Sequence, residues 1–143
     1  MFIRVKTLNL NYFNFSLAKQ VSTEKRRLII PYHEFGIVED INIEQNFNNY
    51  SPQKFNCISV DDDIINDLYE HLSIMKTYYH SLDRPEFGLA NWGITIIPPQ
   101  SLSLFYDVVA SSKIIKKSIE LNELATKINQ AKKEQKYMIH YGI

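Results

Sequence analysis

The chain has 143 residues, with 16 Lys+Arg balancing 16 Asp+Glu to a formal net charge of zero. That length suits one domain able to bury about two-thirds of its unfolded surface. With 45% hydrophobic and 22% charged residues and only four Gly and five Pro, the composition excludes disordered, collagen-like and low-complexity classes.

Period-two alternation and β-branched content predict strands over residues 2–8 and 28–30, the second stopped by Pro31, and further strands over 36–43 and 54–60. Between the last two, residues 45–53 carry the Asn, Ser and Pro of a loop. A long helix is predicted next. Asp61 or Asp62 can cap it, and Ile64, Ile65, Leu68, Leu72, Met75 and Tyr79 form one stripe at 3.6 residues per turn. Asp62, Asn66, Tyr69, Ser73, Lys76 and His80 then face solvent.

Residues 81–92 read as a connection, and 93–97 as a buried strand. Pro98 and Pro99 start a helix over 99–111, because the first amides of a helix have no intrahelical partner to lose. Its apolar side chains surround most of the axis, so it packs on more than one side. The 3-4-3 spacing of Leu121, Leu124, Ile128 and Ala131 predicts an amphipathic helix over 118–134. Residues 137–141 close the chain as a strand. The order β-β-β-β-α-β-α-α-β implies one α+β domain over 1–143, a mixed β-sheet packed against about three helices.

Neutrality conceals an uneven distribution. Residues 1–33 hold six basic side chains and one acid, a net of +5; residues 34–110 hold three and twelve, a net of −9; residues 111–143 hold seven and three, a net of +4. Either the segments interleave in the fold, or the acidic middle makes a surface that steers a basic partner.

Known chemistry finds little purchase. Asp61, Asp62 and Asp63 complement the positive end of a helix dipole, and they lack the Gly and distal Glu of a calcium loop. The histidines His33, His71, His80 and His140 show no zinc spacing. His140 reads as a packed, hydrogen-bonded residue and Cys57 as a buried structural thiol. There is no G-x-S-x-G, phosphate loop or dinucleotide fingerprint. The aromatics lie among acids, which disfavours nucleic acid; Tyr78 and Trp92 near Asp83 and Glu86 instead suit a protein-binding surface.

A lone cysteine points to a reducing cytoplasm. The start of the chain lacks a signal-peptide apolar run, and the stretch 93–106, broken by Pro98 and Pro99, is too short to span a membrane.

The segment Phe87-Gly88-Leu89-Ala90-Asn91-Trp92-Gly93-Ile94-Thr95-Ile96-Ile97-Pro98-Pro99-Gln100-Ser101-Leu102, with Tyr137-Met138-Ile139-His140-Tyr141-Gly142-Ile143, resembles small bacterial immunity proteins encoded beside polymorphic or contact-dependent toxins. The resemblance implies a cytoplasmic, non-enzymatic protein that binds a toxin domain, often a nuclease, and blocks its active site, with no catalytic residue and no cofactor. The expected partner-binding residues are Asp61, Asp62, Asp63, Asp67, Glu70, Asp83, Glu86, Tyr78 and Trp92, facing a basic protein. The alternative is a small cytoplasmic enzyme using Asp61–Asp63 and His80 for metal or acid–base chemistry.

Overall fold

The computed structural model describes residues 31–143; the strands expected over 2–8 and 28–30 lie outside them. Among the described residues six strands form one sheet: β1 (Tyr32–Val38), β2 (Ile58–Asp61), β3 (Lys76–Tyr79), β4 (Pro85–Phe87), β5 (Ile94–Ile97) and β6 (Tyr137–Tyr141), in the order β2-β1-β6-β5-β3-β4. Four helices accompany them: α1 (Asp62–Asn66), α2 (Tyr69–Leu72), α3 (Leu102–Ala110) and α4 (Ile119–Glu134). The chain is α+β, as its composition of elements predicts.

Where a mixed sheet is expected, every pairing among the described strands is antiparallel. The reason lies in the β5-to-β6 connection. One crossover helix would bring the chain back parallel to β5, but the pair α3 and α4 traverses the sheet twice and returns it reversed.

Alternation along the strands sorts side chains to two faces. Phe35, Ile37, Val60, Ile97 and Met138 pack with the stripes of α3 (Leu102, Phe105, Val109) and α4 (Leu121, Leu124, Ile128, Ala131) and with Ile65, Leu68, Leu72 and Met75. Val38, Ile94, Ile96, Ile139 and Tyr141 turn to the other face, where Phe47 and the half-buried Tyr50 and Phe55 of the 39–57 connection cover them. The central strands β1, β6 and β5 are therefore buried on both sides.

The C-terminal expectations hold closely. Ser118 caps α4 by accepting the Leu121 amide at 3.1 Å, Gln135 ends it in a left-handed conformation, and β6 spans the predicted residues. Pro98 and Pro99 lead through a short 3-10 turn into α3. No described helix is long and apolar enough to cross a membrane.

Three expectations are corrected. The strand expected over 36–43 is β1, shifted toward Tyr32, because His33 and Glu34 are strand residues whose polar groups are satisfied inside. That expected over 54–60 is a 3-10 turn at Pro52–Phe55 followed by β2, with Cys57 half-buried between them.

The long helix from Asp61 to His80 is instead α1, α2 and a turn leading into β3. Ile65, Leu68, Leu72 and Met75 are all buried as the stripe requires. Thr77, Tyr78 and Tyr79, however, are β-branched or aromatic and find ladder partners on β4 and β5. Pairing across the sheet outweighs the helical propensity of this short segment.

Gly36 permits the close approach of the covering segment. A Cβ there would stand 2.6 Å from the Phe55 carbonyl oxygen and 2.7 Å from Cys57 Sγ. Gly36→Ala is therefore expected to cost about 1–3 kcal/mol in chemical denaturation. A change within about 0.5 kcal/mol would show that residues 52–57 yield freely.

Candidate functional site

One line of polar groups crosses the interior on the helix-facing side of the sheet. The register Tyr32↔Asp61 ends β2 beside the start of β1, so Asp62, the first residue of α1, drops onto His33. Asp62 Oδ1 lies 2.8 Å from His33 Nε2, His33 Nδ1 lies 2.8 Å from His140 Nε2, and His140 Nδ1 lies 3.1 Å from Thr95 Oγ1. Thr95 Oγ1 accepts the Ala90 amide at 2.8 Å. His33, Thr95 and His140 are completely buried.

One tautomer of each ring satisfies every link. The carboxylate accepts His33 Nε2–H, His33 Nδ1 accepts His140 Nε2–H, and His140 Nδ1 accepts the threonine hydroxyl. The gap between the rings holds a single proton, so both imidazoles cannot be doubly protonated in this arrangement. Around the line, Asn66 Nδ2 donates to Asp62 Oδ2 at 3.1 Å and Tyr69 donates to Asn91 Oδ1 at 3.1 Å. Burial, then the charge of Asp62, raises the Tyr69 phenol above its ordinary range.

The connectivity is that of a relay that could activate a hydroxyl. Yet the Thr95 oxygen already holds two partners and lies wholly inside, which leaves no open side for a substrate. What the line does is join α1, β1, β6 and β5.

His80 is a second correction to the expected solvent face. It directly follows β3, with a positive φ of 65°, and is buried. Its Nδ1–H donates to the Phe47 carbonyl at 2.8 Å, its Nε2 accepts the Ile94 amide at 3.4 Å, and its own carbonyl accepts the Phe47 amide at 2.6 Å. It thereby clasps the 39–57 segment to the sheet. Burial lowers its pKa below the ordinary histidine value.

The acidic residues expected to face a partner divide. Asp62 is corrected from solvent to interior. Asp61 is half-buried, with its amide donating to the Glu120 carboxylate at 3.3 Å. Asp63, Asp67 and Glu70 are exposed along α1 and α2. Asp83, which accepts from the Ser81 hydroxyl, and Glu86 are exposed on the β3–β4 hairpin.

β2 and β4 are opposite edges, five strand steps of about 4.8 Å apart, so the acidic middle does not make one continuous patch. Tyr78 is half-buried against the second-face core, and Trp92 is half-buried in the connection before β5. Part of the charge also interleaves: Lys136 pairs with Glu39 and Glu134, which raises the lysine pKa and lowers that of Glu134.

A groove of about 620 Å³ opens between the end of α1 and the end of α3. Asp67, His71 and Asp107 line it with Lys113, over apolar surface from Leu68 and Val108. Asp107 was not visible as a site residue in the sequence. The available signal was an acid in the last turn of a helix that has no basic residue there. Among the described residues, no three His, Cys, Asp or Glu side chains converge as a metal site would require.

Comparison of the chain with protein-family models, with curated proteins and with solved structures gives no match.

Two measurements test this geometry. Asp62→Ala strands His33 Nε2–H and the Asn66 amide, so it is expected to cost about 1.5–3 kcal/mol in urea unfolding. Asp63→Ala, one residue on and exposed, should stay within about 0.5 kcal/mol; equal effects would refute the division between inner and outer carboxylates.

The second concerns acid. The folded pKa of His80 lies below its unfolded value of 6.5, so the unfolded chain binds the extra proton first, and the stability from neutral His80 is lost as pH falls below 6.5. The thermal midpoint of His80→Asn, which tolerates positive φ, should therefore fall less between pH 7.5 and 5 than that of the parent. Parallel declines would remove His80 as the cause.

Proposed function

We propose that this protein is a non-enzymatic binding protein of the immunity type, acting inside the cell, which neutralises a cognate toxin domain through an acidic surface. The observation that carries this reading is the division of its polar groups. The side chains with acid–base chemistry, Asp62, His33 and His140, spend their donors and acceptors on one another inside. The carboxylates of Asp63, Asp67, Glu70 and Asp107 stand exposed along α1, α2 and the end of α3.

Such a surface fits a cationic cleft. A nuclease builds that cleft to bind phosphates, and an acidic inhibitor competes for the same potential. Charge of this kind acts mainly on the rate of encounter.

The test is stopped-flow association with the purified product of the neighbouring gene, which this reading expects to carry the toxin domain. The triple variant Asp63→Lys, Asp67→Lys, Glu70→Lys should associate at least about tenfold more slowly, with a flatter dependence on salt. An unchanged rate and salt slope would reject this surface, and absence of any complex with the parent protein would reject the function.

A further inference from the structure

We propose that residues 41–51 are a strap over the apolar face of β5 and β6, and that protonation of His80 unlatches it while the helix side of the sheet stays folded. The latch stands on its own geometry and holds or fails independently of the immunity reading.

His80 is where the β3 ladder changes character. Its N–H donates to the Ile94 carbonyl at 3.1 Å, continuing the pairing Tyr79↔Thr95 by one residue. In an antiparallel pair the Ile94 amide would answer by donating to the His80 carbonyl. The left-handed backbone at His80, φ 65°, instead turns that carbonyl to the Phe47 amide at 2.6 Å. The ring fills the vacated place: Nε2 accepts the Ile94 amide at 3.4 Å, while Nδ1–H donates to the Phe47 carbonyl at 2.8 Å.

Both ring nitrogens are therefore committed, one as acceptor and one as donor. Only the neutral imidazole can serve both. A second proton sets Nε2–H against the Ile94 N–H, two donors facing each other at a side chain that is 7% exposed. The ring must then turn away, and Phe47 loses its carbonyl partner with it.

The strap is fastened by single bonds rather than by a ladder. No helix or strand lies within residues 41–51, and the Gln45 amide bonds within the strap itself, to the Asn42 carbonyl. Besides the His80 latch, Tyr50 donates to Glu34 at 2.6 Å and the Ser51 amide donates to the Tyr141 hydroxyl at 3.4 Å. The flanks are tied separately, Glu39 to Lys136 on one side and the Pro52–Phe55 turn against Gly36 on the other. Segments held in this way open locally, ahead of the core.

The surrounding charges set the direction. Burial holds the closed ring below the ordinary histidine value, and Arg84 on the β3–β4 hairpin adds to that, against the Phe47 bond. Asp83 on the same hairpin accepts from Ser81. β5 has no ionisable side chain over Ile94–Ile97. β3 brings the phenols of Tyr78 and Tyr79, and β6 that of Tyr141, which burial keeps neutral. The strap's own acid nearest to Phe47, Glu44, is exposed. Opening returns the ring to water and to a value near 6.5, so it takes up a proton, and acid favours the open form.

The experiment is native-state amide hydrogen exchange on the full 143-residue chain, at pH 7.5 and pH 5 and over a series of low urea concentrations. Protection of the Phe47 and Ile94 amides is expected to fall several-fold in acid, by at most about thirtyfold, the limit for one group whose open-state value is 6.5. Their exchange should respond little to urea, whereas that of Leu124 and Ile128 in α4 should follow it. His80→Asn, which accepts positive φ, should abolish the acid response. Tyr50→Phe removes a fastening without a histidine, so it should lower Phe47 protection by about two- to tenfold at both pH values and leave their ratio unchanged.

A fall of less than about twofold in the parent, Phe47 exchange that follows urea together with Leu124, or an acid response that persists in His80→Asn would each overturn the latch. The parent and Tyr50→Phe series decide the question even where His80→Asn does not fold.

Discussion

The contact of the Asp62 carboxylate with His33, 2.8 Å long and buried, sets the relation of helix to sheet on which the rest of the structure is built. A carboxylate and an imidazole brought inside together must use their hydrogen-bonding groups on each other or forfeit several kcal/mol. Here the requirement propagates. His33 needs a donor for its second nitrogen and finds His140 on β6; His140 needs one in turn and finds Thr95 on β5. Four side chains from four elements thus specify one register of β1 against β6 and of β6 against β5, because a slip of one residue would turn every member to the wrong face. The line adjoins the apolar core through Phe35, whose ring centroid lies 4.8 Å from that of His140.

The opposite face is held on a different principle. It has no described helix over it, and the 39–57 connection supplies Phe47, Tyr50 and Phe55 as cover. A connection lacks a ladder of its own, so it must be fastened by single bonds. His80 holds Phe47 at both its amide and its carbonyl, Tyr50 donates to Glu34 at 2.6 Å, and Gly36 leaves room for the backbone at Phe55. The two layers therefore differ in cooperativity. The helix layer is held by apolar stripes, and the loop layer by a few polar clasps, of which His80 is sensitive to acid.

Against this background the disposition of the carboxylates is informative. Asp62 and Glu34 work inside the fold, and Glu39 and Glu134 answer Lys136. Asp67, in the turn between α1 and α2, and Asp107, in the last turn of α3, do neither and are exposed on the groove that Lys113 shares. Zero net charge is thus compatible with an uneven local distribution, since among the described residues Lys113 is the one lysine or arginine on the groove that these two acids line. Hydrophobic burial explains how the chain folds; the exposed acids are what the fold presents.

Much of this was legible in the sequence. The 3-4-3 spacing on α4, the Ser118 cap, the Pro98–Pro99 entry to α3 and the alternation of β6 are local patterns, set by the period of a helix or strand and by which amides need a partner, and they survive folding unchanged. The burial of Ile65, Leu68, Leu72 and Met75 was also readable, because their spacing selects one face whatever the backbone does. The backbone they sit on was not. Residues 76–79 became a strand because β4 and β5 offered ladder partners from more distant sequence, and no local propensity reports such partners. The same holds for the site. Twelve acids in the middle segment were countable from composition, but Asp62 and Asp63 are adjacent letters with opposite fates. Which of them turns inward depends on His33, 29 residues away in sequence, and which outer acids share a cavity depends on where α1 and α3 end. Composition and periodicity determined the class of fold and the faces of its C-terminal elements. The tertiary structure alone decided which charges are neutralised and which are exposed, because the energy of a charge depends on neighbours that only folding brings near.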